Sequence, residues 1–173
     1  MVECDWSVAN LLPTRALARR EAAMPVFEDS VFIARPLQDV FDFMVESENL
    51  AVWDASVVKA QKVGTDPVGL GTLTRGISTI MGKHLDWATE ATEFEPPTRI
   101  TYTSVEGQIS FVVTNLLEPV EGGTRLTYRV DTGSGLGGVF GRLAEPFIEI
   151  AQARTLRGNL ETLAQLLVEH PQP

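Results

Sequence analysis

The residues best suited to acid–base chemistry are His84 and Asp86, which stand two positions apart in a segment with the alternation of a β-strand. Side chains two residues apart on a strand share one face of the sheet. Leu85 and Trp87 occupy the other face, and because they are apolar that face must point into the protein. The alternation therefore places His84 and Asp86 in solvent and favours a solvated strand face over a catalytic pair.

Metal-binding and nucleophilic chemistry have little support in the sequence. Cys4 is the one cysteine, so no disulfide framework and no multi-cysteine metal site can form within the chain. His170 stands close to the chain end, and no His, Asp and Glu residues cluster at ligand spacing. The glycine-rich run 133–138 precedes a helix but lacks the Lys-Ser/Thr pair of a phosphate-binding loop. We expect no metal and no cofactor, and no catalytic residue can be assigned.

The inward faces of the predicted strands indicate a small-molecule pocket, because a few polar side chains interrupt apolar walls. These polar side chains are Arg75, Thr89, Tyr102, Asn115 and Tyr128, with Arg154 on the C-terminal helix. Arg75 either contacts the ligand or pairs internally with an acid such as Glu93 or Glu149. The residues expected to line the cavity are Trp53, Arg75, Ile77, Trp87, Thr89, Tyr102, Phe111, Val113, Tyr128, Phe140, Leu143 and Phe147.

A sheet with one apolar face has to position these residues. Alternation and turn residues predict seven strands, at 26–34, 57–63, 72–81, 84–94, 99–105, 108–117 and 124–132. Short connections make successive strands antiparallel neighbours. Between the first two strands, Pro36 opens a short helix and a second helical turn runs from Ser47 to Trp53.

A long amphipathic helix is predicted over residues 136–170. Leucines 156, 160, 163 and 167 form its apolar seam, which we expect to lie on the sheet. Pro146 removes a backbone donor and clashes with the preceding turn, so we expect a kink or break near Glu145.

Composition limits the possible partners. The chain has 173 residues and a formal net charge of -9, which argues against a nucleic-acid surface and against attraction to anionic lipid. No apolar run is long enough to span a membrane, and residues 1–10 lack the basic start of a secretory signal. We expect a cytoplasmic protein with a disordered extension at 1–24 and one domain at 25–170; the oligomeric state is open.

The order of several short motifs resembles one superfamily. They are Ile33-Ala34-Arg35-Pro36 before a helix, Trp53 after a second turn, Glu93-Phe94-Glu95-Pro96-Pro97 closing a strand, Gly123-Thr124-Arg125-Leu126-Thr127 opening the last strand, and a proline-kinked helix. Over residues 25–169 this order resembles the SRPBCC (START/Bet v1-like) superfamily, in particular its polyketide cyclase/dehydrase and lipid-transport-like branch. The resemblance implies an α+β helix-grip fold, with a curved antiparallel sheet around the C-terminal helix and an apolar cavity between them.

Three functions are compatible with this resemblance. The first is binding or transport of an apolar small molecule, such as a lipid, fatty acyl chain or polyketide, with a polar or anionic end. The second is a polyketide cyclase/dehydrase-type enzyme in which Arg75, Tyr102 or Tyr128 polarises a carbonyl group. The third is a regulatory interaction protein that uses residues 1–23 as an arm.

The segment Gly133 to Glu145 is expected to act as a lid, because its glycines permit backbone conformations closed to other residues. Phe140, Leu143 and Phe147 should then contact the ligand. We predict that Phe140→Ala weakens binding of an apolar probe while the free energy of unfolding hardly changes. Titration of the probe and urea unfolding of the same variant test this. Strong destabilisation with unchanged probe affinity would assign Phe140 to the core.

Overall fold

A computed structural model describes residues 26–133 and 145–169, with the side chains of 145–149 outside the described set. Seven strands are present in this part of the chain: β1 (Val26–Ile33), β2 (Val57–Lys62), β3 (Leu73–Ile80), β4 (Lys83–Glu95), β5 (Arg99–Gly107), β6 (Phe111–Val120) and β7 (Gly123–Thr132). The helices are α1 (Leu37–Val45), α2 (Leu50–Trp53), which follows a 3-10 turn at Ser47–Asn49, and α3 (Glu145–Glu169). Each of the seven predicted strands is present within a few residues of its expected bounds.

The strands form one antiparallel sheet in the order β1-β7-β6-β5-β4-β3-β2. Strands β2 to β6 each pair with the next strand along the chain, whereas β1 pairs with β7 and places Phe27 opposite Val130. Register shifts on β4, beside Thr89 and beside Glu93, bend the sheet. The predicted α+β architecture, a curved seven-stranded sheet with a C-terminal helix, is confirmed.

The leucine seam of α3 packs on the concave side of this sheet, as predicted. Leu160 and Leu163 are fully buried, and Leu156 and Leu167 are nearly so. They share one core with Val40 and Phe41 of α1. The Phe41 ring lies against the Phe94 ring, with 5.8 Å between ring centroids. Outside the core, Arg157 Nε donates a hydrogen bond of 3.1 Å to Asp29 Oδ2 and so ties α3 to β1.

The predicted orientation of β3 is wrong. Thr74, Ser78 and Ile80 face the concave side, so Arg75 and Ile77 lie on the convex side. The Arg75 side chain is 64% exposed, and its guanidinium lies 3.4 Å from the Glu106 carboxylate, not from Glu93. The cause is local: β3 carries Leu73 and Ile77 on the outer face, whereas Thr74, Gly76 and Ser78 precede Ile80 on the inner one. A count of apolar residues along the strand therefore selects the wrong face.

Three predicted features cannot be placed. The extension at 1–24 and most of the lid segment lie outside the described residues, and so do Phe140 and Leu143. Phe147 belongs to α3, but its side chain is not described. Pro146 is the second residue of the described helix, so the kink near Glu145 stays a prediction. No helix in the ranges 26–133 and 145–169 is long and apolar enough to cross a membrane.

The buried leucines of α3 predict different losses of folding stability for two substitutions on this helix. Leu163→Ala removes a fully buried side chain and should lower the free energy of unfolding by about 2 to 5 kcal/mol. Val168→Ala truncates a side chain that is 51% exposed and should cost less than about 1 kcal/mol. Urea unfolding of both variants measures the difference. Equal costs would mean that α3 does not pack through the seam.

Candidate small-molecule site

A cavity of about 220 Å³ lies between the concave face of the sheet, the segment around α2 and the middle of α3. The side of the cavity formed by the sheet draws on all seven described strands, including Phe27 of β1 and Val57 of β2, and α3 contributes Gln152, Thr155, Leu156 and Asn159. The described residues at its aromatic and polar walls include Trp53, Asp54, Thr74, Ser78, Trp87, Thr89, Tyr102, Phe111, Val113, Asn115 and Tyr128. The helix seam and the cavity therefore share the same concave surface.

One wall is built around Trp87, whose indole lies against Gly76 of the neighbouring strand. A Cβ atom on Gly76 would stand 2.2 Å from the Trp87 ring, so only glycine leaves room for the indole in this position. Trp87 Nε1 donates a hydrogen bond of 2.9 Å to Ser78 Oγ, which fixes the plane of the ring. The Phe111 ring meets it edge to face, with 6.3 Å between ring centroids. These contacts give the wall a fixed aromatic surface.

Asp54 supplies a carboxyl group to the cavity from the end of α2. Its Oδ1 atom accepts hydrogen bonds from Ser56 N at 2.9 Å, from Ser56 Oγ at 2.7 Å and from Asn159 Nδ2 at 2.7 Å. Burial raises the pKa of Asp54 above its ordinary value, although the bonds from Ser56 and Asn159 act in the opposite direction. Asp54 is therefore a buried carboxyl group with a raised pKa, held in place by three donors.

Two tyrosines line the same cavity. Tyr128 is buried and meets Trp53 edge to face, with 5.5 Å between ring centroids. Burial raises the pKa of the Tyr128 phenol, and the negative charge of Asp54 raises it further. Burial also raises the pKa of the Tyr102 phenol, with a smaller contribution from Glu46. Both phenols consequently stay protonated at neutral pH and can donate a hydrogen bond to a bound molecule.

Asn115 is the third polar group on this wall and the least satisfied one. It lies on β6 directly opposite Tyr128 of β7, and only 2% of it is exposed. Its Oδ1 atom accepts a hydrogen bond from no described residue. Buried side-chain oxygens almost always have a partner, so this amide stands out from the other polar groups of the cavity.

The structure brings together most of the site residues predicted from the sequence. Seven of them line the cavity: Trp53, Trp87, Thr89, Tyr102, Phe111, Val113 and Tyr128. Arg75 and Ile77 do not, since they lie on the convex face, and Arg154 is exposed. His84 and Asp86 are exposed as expected. Ligand contact itself stays a prediction for all of these residues.

Sequence reasoning missed several polar residues of the cavity, among them Thr74 and Ser78 on β3 and the hydrogen-bonded pair Asp54 and Asn159. Asp54 directly follows the predicted Trp53, but no pattern links it to Asn159, which is 105 residues away. The sequence offered one signal for Asn159: it is a polar residue within the leucine seam, one position before Leu160. Buried asparagine among leucines requires a partner.

The charges of the cavity are one-sided. Among the described residues that line it, Asp54 and Asp86 are acidic, and none is a lysine, arginine or histidine. The Asp86 side chain lies on the convex face with that of Ile77, its partner on β3, so Asp54 is the charged group inside the described part of the cavity. The described ranges contain no group of three or more His, Cys, Asp or Glu residues placed to hold a metal ion. The chemistry available from the described lining is hydrogen bonding, proton exchange and apolar contact.

Solved structures with the same fold include proteins of several kinds. A protein of Thermus thermophilus superposes with a TM-score of 0.71 at 20% identity, covering 86% of this chain and 100% of that one. The Zhui aromatase/cyclase of a Streptomyces species gives 0.67 at 17% identity, covering 84% and 96%. The di-domain ARO/CYC StfQ of the steffimycin biosynthetic pathway gives 0.64 at 16% identity, covering 83% of this chain and 50% of StfQ. At these identities the likeness establishes the fold.

The sequence itself matches a family model over most of its length. None of the curated proteins compared with the chain gives a significant match. The model described as polyketide cyclase / dehydrase and lipid transport matches residues 24–168. That range contains every strand, the three described helices and all of the cavity lining. The chain therefore belongs to the polyketide cyclase/dehydrase and lipid transport family.

Proposed function

We propose that this protein binds an apolar small molecule in the cavity between the sheet and α3. The observation that carries the proposal is the cavity itself, which combines aromatic walls with a few convergent polar groups. An empty apolar cavity of about 150 Å³ is large enough to bind benzene. A volume of about 220 Å³ suits a somewhat larger guest, such as a bicyclic aromatic compound or a short acyl chain.

Packing supports a guest with a rigid ring. Trp53 and Tyr128 hold each other edge to face, and so do Trp87 and Phe111. These pairs present flat apolar surfaces whose positions are fixed before binding, so little side-chain entropy is lost when a ligand enters. Membership of a family described by both cyclisation and lipid transport is consistent with such a guest.

Filling the cavity should abolish binding. Val113 lines the cavity, whereas Val112, the next residue on β6, does not. We predict that Val113→Trp lowers the affinity for methoxynaphthalene at least tenfold, because the indole occupies the ligand's volume. Val112→Trp should leave the affinity within about twofold. Isothermal titration calorimetry on both variants, with their circular dichroism spectra compared, tests this. Binding that survives Val113→Trp would place the ligand elsewhere.

A second candidate function, a cyclase/dehydrase-type enzyme, is favoured by Asp54. A carboxyl group whose pKa is raised by burial inside an apolar cavity is the kind of group that serves as a general acid or base. Tyr102 and Tyr128 remain protonated beside it and can hydrogen-bond to a carbonyl oxygen as negative charge develops there. Zhui and StfQ, which share the fold, are named as aromatase/cyclases.

This candidate depends on the raised pKa of Asp54, which has a measurable consequence. In the unfolded chain the carboxyl group titrates near 3.8, and in the folded protein at a higher pH. Between these values the folded state binds more protons, so stability falls as the pH rises through that window. Asp54→Asn lacks this titration. We predict that the free energy of unfolding of the wild type, minus that of Asp54→Asn, falls as the pH rises above 3.8.

Urea unfolding at a series of pH values measures this difference. Ser56→Ala removes a donor that lowers the pKa of Asp54, so the fall should extend to higher pH in that variant. A difference that rises with pH would mean that the three donors hold Asp54 ionised. The proposed cyclase/dehydrase-type activity would then lack its proton-exchanging group. The proposal that the cavity binds an apolar small molecule would still stand.

A further inference from the structure

We propose that the cavity selects neutral molecules that carry a hydroxyl group over carboxylates, with Asn115 accepting the hydroxyl proton and Tyr128 donating to the hydroxyl oxygen. This inference rests on the proposed binding function and names the class of ligand. It replaces the anionic end expected when Arg75 was placed in the cavity. Three features of the described residues carry it: the sign of the lining charges, the unpaired amide of Asn115, and the register of β6 against β7.

The lining charges oppose a carboxylate ligand. Arg75, the basic side chain predicted to face the ligand, lies on the convex side and is paired with Glu106 at 3.4 Å. No described residue that lines the cavity is basic, and Asp54 is acidic. A carboxylate entering this space would lose its hydration without gaining a cation from the described lining, and it would meet the charge of Asp54 at low dielectric. A neutral polar group avoids both costs.

Asn115 has hydrogen-bonding capacity that no described residue uses. Its Oδ1 atom has no donor among the residues described, although the residue is almost completely buried and lines the cavity. Rotation about the last side-chain torsion, which is soft in asparagine, can turn the amide oxygen towards a guest. A hydroxyl group on that guest would supply the missing donor.

The strand register places a complementary group beside this amide. Asn115 and Tyr128 are direct partners across β6 and β7, and partners on one face have Cβ atoms roughly 5 Å apart. Tyr128 stays protonated and can donate. A hydroxyl group both donates and accepts, so it can serve Asn115 and Tyr128 together. An ether or a carboxylate can only accept, which leaves the Asn115 oxygen unpaired.

Three ligands with one ring system test the proposal: naphthol, its methyl ether and naphthoic acid. Calorimetric titration of the full chain near neutral pH should give naphthol about tenfold tighter binding than the methyl ether, the worth of about one hydrogen bond. Naphthoate should bind more than tenfold more weakly than naphthol. Asn115→Leu should remove the advantage of naphthol over the ether, and Asp54→Asn should raise the affinity for naphthoate severalfold.

The outcomes separate this proposal from the binding function. The proposed selectivity is wrong if naphthol and the ether bind equally, or if naphthoate binds as tightly as naphthol. In either case the binding function still stands, provided that Val113→Trp abolishes binding. If no ligand of the three binds the wild type, both are wrong. Should Asn115→Leu fail to fold, the order of the three affinities in the wild type still decides the question.

Discussion

The structure depends on one geometric constraint: a curved sheet exposes a wide concave face, and a single helix cannot cover all of it. The α3 seam covers the part of that face nearest β1, where α1 completes a dry core around Leu126 and Leu163. Farther across the sheet a cavity remains, lined by aromatic side chains of the strands and by four residues of α3. The same burial that stabilises the domain thus defines the space where a ligand can bind.

The polar groups of the cavity also connect distant parts of the chain. Asn159 Nδ2 donates a hydrogen bond of 2.7 Å to Asp54 Oδ1, and Asn159 Oδ1 accepts one of 3.2 Å from Ala55 N. These two hydrogen bonds link α3 to the turn after α2. Both elements border the cavity. Because Asp54 is bonded to the element that closes the cavity, its protonation affects both the electrostatics of the site and the attachment of α3. The charge inside the cavity and the stability of the fold are therefore coupled through this carboxyl group.

Much of the fold could be predicted from the sequence, because local patterns determine it. Alternation and turn residues located the seven strands, and the spacing of leucines located the buried stripe of α3. The site was harder to predict, because its polar contacts join residues far apart in the chain. β3 was oriented incorrectly since its inner face is occupied by Thr74 and Ser78, whose hydroxyl groups bond to Ser47 and Trp87. Such partners cannot be inferred from one strand's composition.

Gly76 influences the size of the cavity through its contact with Trp87. This residue is not part of the cavity lining, yet the missing side chain is what allows the Trp87 indole to lie flat against β3. A larger residue at position 76 would clash with the Trp87 ring and with the backbone oxygen of Lys59, whereas a smaller residue in place of Trp87 would enlarge the cavity. The size of the cavity thus depends on a pair of facing residues on β3 and β4, separately from the polar groups on β6 and β7. Cavity size and cavity polarity can therefore change independently of each other during evolution or engineering.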